Sequence, residues 1–191
     1  MPVKVNVGCG RNVMQGWINV DRMKLPGVDI VADIDRCADE PIPLEDDSVD
    51  EFLLSHVIEH IRNPLPLMQE LHRIAKSNAL AVIRVPYGSS DDAYEDPTHV
   101  RSYFLDSFHY FSQPLYWRAD YGYRGDWQLE KVRLILPAAQ NQGLSPKEIL
   151  IKVSTLRNQV REMVGELRAV KPVREPRREL QSSAKIELSL V

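Results

Sequence analysis

The chain has 191 residues, with 43% hydrophobic and 27% charged side chains and a formal net charge of -3 at pH 7. That length and balance fit one globular domain, with at most a tail, and give no global reason to expect nucleic-acid binding. No apolar run approaches the ~20 residues of a membrane-spanning helix, and two cysteines, Cys9 and Cys37, are too few for a disulfide scaffold.

The N-terminal MPVKVNVG enters strand-like sequence directly, without a basic and then apolar leader, so no signal peptide is read and a cytoplasmic location is expected. Val3 to Val7 is a β-branched run stopped by glycine. Trp17 to Val20 is a second strand, ended by Asp21, and Val28 to Ala32 a third, ended by Asp33. A polar, proline-bearing connection leads to Glu51–Ile61, which begins as a strand and turns helical near Ser55. Residues Pro64 to Ala75 place Leu67, Leu71 and Ile74 on one helical face behind an early proline. Another buried strand, ALAVIRVP, ends at Pro86. Strands apolar on both faces, alternating with connections, predict a parallel sheet in an α/β fold. From Tyr87 to Trp127 the texture becomes aromatic and acidic with little period. EKVRLIL and EMVGELRAV predict two final strands, separated by a helix from about Ser145 to Asn158 with Ser145 as N-cap. The end is charged and proline-bearing, and its alternating arginines and glutamates predict a solvated extension.

The stretch VNVGCGRNVMQGWINVD poses the functional question. Dinucleotide sites need a helix starting at the glycines, whose N-terminus binds pyrophosphate, and a ribose acid roughly 20 residues on. Here the third glycine is missing and Asp21 comes too early. S-adenosylmethionine has no phosphate, so a reduced helix costs it little. Its amino-acid portion needs close backbone approach, which Gly8 and Gly10 permit. Asp21 suits the ribose hydroxyls and Asp33 the adenine amine. The plainer reading, a tight turn in any α/β protein, stands beside this one.

VNVGCG, GWINVD, IVADID, IPLEDDSVDEFLLSHVIEHI, LHRIAKSNALAVIRVP and DPTHVRSYFLDSFHYF follow one another in the order found in class I S-adenosylmethionine-dependent methyltransferases. More narrowly, the chain resembles small bacterial proteins described as predicted methyltransferases. The resemblance covers about the first 136 residues and, more loosely, the strands near 160–172. It implies a Rossmann-like fold, with a mostly parallel seven-stranded sheet, one antiparallel edge strand and helices on both faces. It also implies S-adenosylmethionine as the cofactor, with Gly8, Cys9 and Gly10 lining the donor, Asp21 on the ribose, Asp33 and Ile34 by the adenine, and Ser55 and His56 near the methionine part. The domain is then 1–172, with 87–127 as a substrate-side insertion or lid and 173–191 as a C-terminal extension. Two departures stand out: the helix after the glycines is vestigial, and AKSNALAVI lacks a glycine pair usual before the fifth strand.

Three other features of the sequence invite different chemistries. His56-Val57-Ile58-Glu59-His60 spells H-x-x-E-H, an inverted zinc-hydrolase motif. The strand-like EFLLS puts His56 at a strand end instead of within a helix, so no metal is expected; His60 packs on the sheet and Glu59 caps or is solvated. Cys9 could be a nucleophile beside a glycine turn, but a small residue in a crowded turn explains it. Of the aromatic residues, Phe104, Phe108 and Phe111 have the spacing of one helical core face, while tyrosines such as Tyr87, Tyr94, Tyr103 and Tyr110 stay open for stacking on a sugar or base.

For the chemistry itself, a hydroxyl acceptor benefits from a general base. EDPTHVRSYF offers His99 with Asp96 to orient it and Arg101 to hold an anionic part of the acceptor, Tyr103 lining the same side; His56 is the alternative base. The plainer account is that Asp96 or Thr98 caps a helix. The function expected is methyl transfer to an oxygen of a small or carbohydrate-linked acceptor, with no membrane or nucleic-acid partner. The alternative is an inactive methyltransferase-like scaffold.

Overall fold

The computed structural model describes residues 1–119 and 121–191. Its elements are β1 (Lys4–Val7), β2 (Ile18–Asp21), β3 (Ile30–Val31), β4 (Val49–Ser55), α1 (Pro64–Ile74), β5 (Ala75–Pro86), α2 (Asp92–Glu95), β6 (Trp127–Leu136), α3 (Ala138–Asn141), α4 (Pro146–Thr155), β7 (Glu162–Ala169) and β8 (Lys185–Leu190), joined partly by 3-10 turns. All eight strands form one sheet in the order β3-β2-β1-β4-β5-β7-β6-β8. β7 runs antiparallel to both its neighbours, and every other pair is parallel. The chain leaves β1 in one direction along the sheet and β4 in the other. In an open α/β sheet that reversal is where a ligand crevice forms, beyond the carboxyl ends of the strands.

The Rossmann-like sheet is the one expected, with differences of detail. There are eight strands, and the antiparallel one is interior. The eighth comes from the C-terminal segment expected to be solvated: β8 pairs with β6 in parallel from Lys131↔Lys185 to Leu136↔Leu190. What anchors that segment is Arg174, whose guanidinium and backbone N–H both bond Asp126, a carboxylate with no exposed surface. A buried carboxylate demands a cation and donors. No alternation of charges in the tail could reveal that one of its arginines supplies them.

The helices are legible locally. Asn63 caps α1 by accepting from the Leu65 N–H at 3.3 Å, and Pro64 fills its first position. Leu67, Met68, Leu71 and Ile74 are fully buried, and the Trp127 indole donates to the Met68 carbonyl at 2.9 Å. Ser145 and Glu148 close a capping box on α4.

The core is one-sided. Val5, Val7, Phe52, Leu54, Ala81, Ile83 and Leu167, from one face of the sheet, share a hydrophobic cluster with α1, with Ile149 and Val153 of α4, and with Phe108 and Phe111. Leu53, Leu80, Val82 and Val164, which alternate to the other face, are only partly buried. That second face carries cross-strand ion pairs instead: Lys4–Glu51 at 2.7 Å, Lys131–Glu166 at 2.8 Å and Arg133–Glu187 at 3.5 Å. The two longest helices among the described residues, α1 and α4, both pack on the first face. Beside β1 and β2 the loop after the glycines lies across the second face. Asn6 donates to the Asn12 carbonyl and to Asn19 Oδ1, and Asn19 donates to the Met14 and Trp17 carbonyls. Two buried amides thus replace a helix.

Most of the aromatic segment belongs to the core. Tyr103, Phe108, Phe111, Tyr116, Tyr123 and Trp127 are buried. The expected helix is a 3-10 turn, Ser107–Phe111, so Phe104 falls outside it and is 45% exposed, its ring edge-on to Tyr87. No helix among the described residues is long and apolar enough to cross a membrane.

Candidate active site

The glycine turn leaves β1 at its carboxyl end. Gly8 and Gly10 have φ of +65° and +52°, a region that strains any residue with a Cβ. The two glycines differ in what surrounds them. A Cβ at Gly8 would lie 2.7 Å from both methyl groups of Val57, whereas one at Gly10 would meet nothing within 4 Å. Gly8 is closed by packing; Gly10 opens on free space at the sheet's reversal point.

Asp21, at the end of β2, braces the turn. Its Oδ2 accepts the Gly10 N–H at 2.8 Å and its Oδ1 accepts the Met23 N–H at 2.9 Å. A carboxylate has about four acceptor positions, so each oxygen still has one to offer a hydroxyl. Cys9 is buried, and burial, with Asp21 adding to it, raises its thiol above the ordinary range, which keeps it protonated and unreactive. Asp33 is only partly buried and caps the 3-10 turn Ile34–Arg36 by accepting from the Asp35 N–H. The Ile34 side chain itself belongs to the core. The residues present therefore fit S-adenosylmethionine: an open glycine, a part-exposed carboxylate with spare lone pairs, and a second carboxylate one strand further out.

Ser55 and His56 end β4, both exposed. His56 has φ +55°, an uncommon backbone state for a residue with a side chain. Its Nε2 lies 2.9 Å from Glu162 Oε1, and its Nδ1 lies 3.4 Å from Glu59 Oε1. Glu59 is the main cause raising the imidazole above its ordinary value, partial burial opposes it, and Glu162 adds to it. Arg84 in turn holds Glu162 Oε2.

The expected Asp96–His99–Arg101 constellation is partly assembled. His99 Nε2 stands 3.9 Å from Asp96 Oδ2, an ion-pair distance and not a hydrogen bond. Asp96 Oδ1 instead accepts the Thr98 N–H and hydroxyl at 2.8 and 2.6 Å, and these bonds hold its carboxyl below the usual range. No helix follows, so the capping account of this turn gives way to a side-chain-closed turn. His99 meets the Ala93 carbonyl at Nδ1, 3.2 Å away. The Arg101 guanidinium donates to the Arg62 carbonyl, and the Tyr103 hydroxyl to the Ile58 carbonyl at 3.2 Å.

Arg101 and Tyr103 line a cleft of about 900 Å³, together with Tyr87, Phe104, Tyr110 and Tyr116. No residue of the glycine turn lines it. The two are joined by residues 55–62: Val57 packs on Gly8, and Ile58 receives the Tyr103 hydroxyl.

Residues 5–83 match a family described as a methyltransferase domain. Over that stretch the chain is similar to methyltransferase domains, and its sheet is the Rossmann-like one such domains share. Solved structures agree in fold. A SAM-dependent methyltransferase from Archaeoglobus fulgidus is 16% identical over 87% of this chain and 86% of its own, with a TM-score of 0.60. A possible histamine N-methyltransferase from Thermotoga maritima is 14% identical over 90% and 83%, with a TM-score of 0.55. A putative methyltransferase of Haloferax volcanii, solved with the Trm112 activator, is 14% identical over 88% and 83%, with a TM-score of 0.53. No curated protein matches the chain. The cofactor of such a domain is S-adenosylmethionine, which agrees with the turn at Gly8–Gly10 and Asp21.

Proposed function

We propose that this methyltransferase domain acts on an oxygen of a small or carbohydrate-linked acceptor. The observation that carries the reading is the cleft, lined by tyrosine and phenylalanine rings and aliphatic side chains together with Arg101 and Asp106. Flat rings with polar rims suit a sugar, which presents apolar C–H faces and hydroxyl edges.

S-adenosylmethionine, when bound, supplies a methyl group activated by its sulfonium. Gly10 gives it backbone approach, and Asp21 accepts from its ribose while bracing the same turn. Asp33 stands on the adenine side. His56, whose neighbour Val57 packs on Gly8, is the proposed base for the acceptor's proton, with His99 the other candidate. Glu162 at Nε2 and Glu59 at Nδ1 stabilise the ring once it is charged. Arg101 and Tyr103 position the acceptor, with the remaining cost being alignment.

A panel of free and conjugated sugars, incubated with the donor and assayed by mass spectrometry for the gain of one CH₂, tests the acceptor class. Methylation at nitrogen with none at oxygen would overturn it. His56→Gln should lower kcat with donor affinity kept, and unchanged turnover would remove His56 from its role. A second reading, the inactive scaffold, draws on both Asp21 oxygens already holding backbone N–H groups. Calorimetry with S-adenosylhomocysteine separates the two, because a scaffold would bind none.

A further inference from the structure

Glu59 is the residue the reading above does not use. It is 1% exposed, and neither carboxylate oxygen has a hydrogen-bond partner among the described residues; His56 Nδ1 stands 3.4 Å from Oε1. Glu59, expected as a cap or a solvated acid, is neither. A carboxylate buried without donors is costly unless it pairs with a cation.

Two imidazoles converge on it. The ligand-capable atoms of Glu59, His60 and His99 all lie within 4.8 Å of one another, and the rings of His60 and His99 meet edge to face at 4.8 Å between centroids. Each ring has its Nδ1 already engaged. His60 Nδ1 faces the Thr98 carbonyl at 3.3 Å and the Thr98 hydroxyl oxygen at 3.0 Å. That hydroxyl spends its proton on Asp96, so His60 must donate to it. His99 Nδ1 faces the Ala93 carbonyl, an acceptor without a proton. Both rings are thereby fixed as the tautomer whose Nε2 carries the lone pair. Metal-binding histidines are usually held this way, with the second nitrogen donating to a carbonyl or oxygen. The backbone holds the two segments in register, since the Glu59 carbonyl accepts from the Val100 and Arg101 N–H groups at 2.9 and 3.1 Å.

We propose that Glu59, His60 and His99 bind a divalent first-row transition cation. Two imidazoles and one carboxylate are a donor set for zinc, cobalt or ferrous iron, with positions left for water. The ligands differ from those of the H-x-x-E-H pattern: His56 is outside the set, Glu59 coordinates instead of serving as a base, and the third ligand comes from beyond β5. The ion would tie the 58–60 turn to the 96–101 segment at the sheet's reversal point. The proposal stands apart from methyl transfer.

The test uses tag-free protein, stripped with a chelator and shown by circular dichroism to be folded. It is titrated with Zn²⁺ by calorimetry and with Co²⁺ by visible absorption. A single equivalent of each is expected, with Co²⁺ bands that the ion in buffer does not show. Glu59→Gln and the double variant His60→Ala/His99→Ala should each lose more than the roughly 10–100-fold in affinity that loss of an outer partner costs. His109→Ala, elsewhere in the chain, should bind as the parent does. Absence of stoichiometric uptake overturns the site, as does uptake by the double variant equal to the parent. Should Glu59→Gln fail to fold, the histidine pair decides.

Discussion

The methyl groups of Val57 occupy the space that a side chain at Gly8 would need, 2.7 Å from where its Cβ would stand. Gly8 and Gly10, two residues apart in one turn, therefore answer differently to the same substitution. Gly8→Ala meets both an unfavourable φ and Val57, so the turn must shift and thermal stability and donor affinity fall together. Gly10→Ala pays the left-handed backbone cost alone, about 1–2 kcal/mol, and sends its methyl into the space assigned to the donor. Melting temperature and S-adenosylhomocysteine calorimetry on both variants check this. Equal donor affinity for Gly10→Ala and parent would place the donor elsewhere.

Asp21 has two duties, bracing Gly10 and receiving the ribose. Asp21→Ala should weaken donor binding by about 1.5–3 kcal/mol if the ribose bonds are charge-assisted, measured by calorimetry on a variant that still folds. Asp21→Asn, which has one oxygen fewer to accept with, should fall between parent and Ala. An Ala variant that binds the donor as the parent does would leave Asp21 as a turn residue and nothing more.

The Asp126–Arg174 pair ties the C-terminal segment to the core through a buried charge. Asp126 has no exposed surface, and Arg174 reaches both its oxygens at 2.7 Å. Removing one partner strands a buried charge, which costs ~3–5 kcal/mol. Arg174→Ala should accordingly lower the denaturation midpoint sharply, while Glu175→Ala next to it should leave the midpoint nearly unchanged.

His72 links stability to pH. It is buried on α1, meets the Val170 carbonyl at Nε2, and burial lowers its pKa below the ordinary 6.5. Between that lowered value and about 6.5 the unfolded chain binds a proton that the folded one refuses. Its contribution is thus full above about pH 6.5 and is lost as pH falls below it. Denaturant titrations from pH 7.5 to 5 should show a shallower acid decline for His72→Gln than for the parent. An identical slope would remove His72 as the cause.

What the sequence disclosed were features settled by near neighbours. The capped starts of α1 and α4 need only Asn63–Pro64 and Ser145–Glu148, so they were legible. The strands β1, β2, β4, β5 and β7 follow from apolar runs bounded by glycine, acid or proline. The one-sided core was hidden, because Leu53, Leu80 and Val82 are as apolar as the buried residues between them. Whether a helix covers them is a matter of connection length. Of the candidate site, Gly8, Asp21, Asp33 and His56 lie at or just past the carboxyl ends of strands that their apolar runs mark. The burial of Glu59 and the approach of His99 to His60 depend on how the 96–101 turn packs, a contact between segments nearly forty residues apart, and no local pattern carries it.

β8 has a consequence for synthesis. The strand that covers β6 leaves the ribosome about fifty residues behind the one it pairs with. Until it arrives, a ten-residue strand presents an open row of backbone donors and acceptors. Lys131 and Arg133, which face away from the core along that row, place like charges on any second copy that tries to pair there. Glu166 of β7 meets both residues from the other side, and Glu187 of β8 meets Arg133 once the last strand is in place.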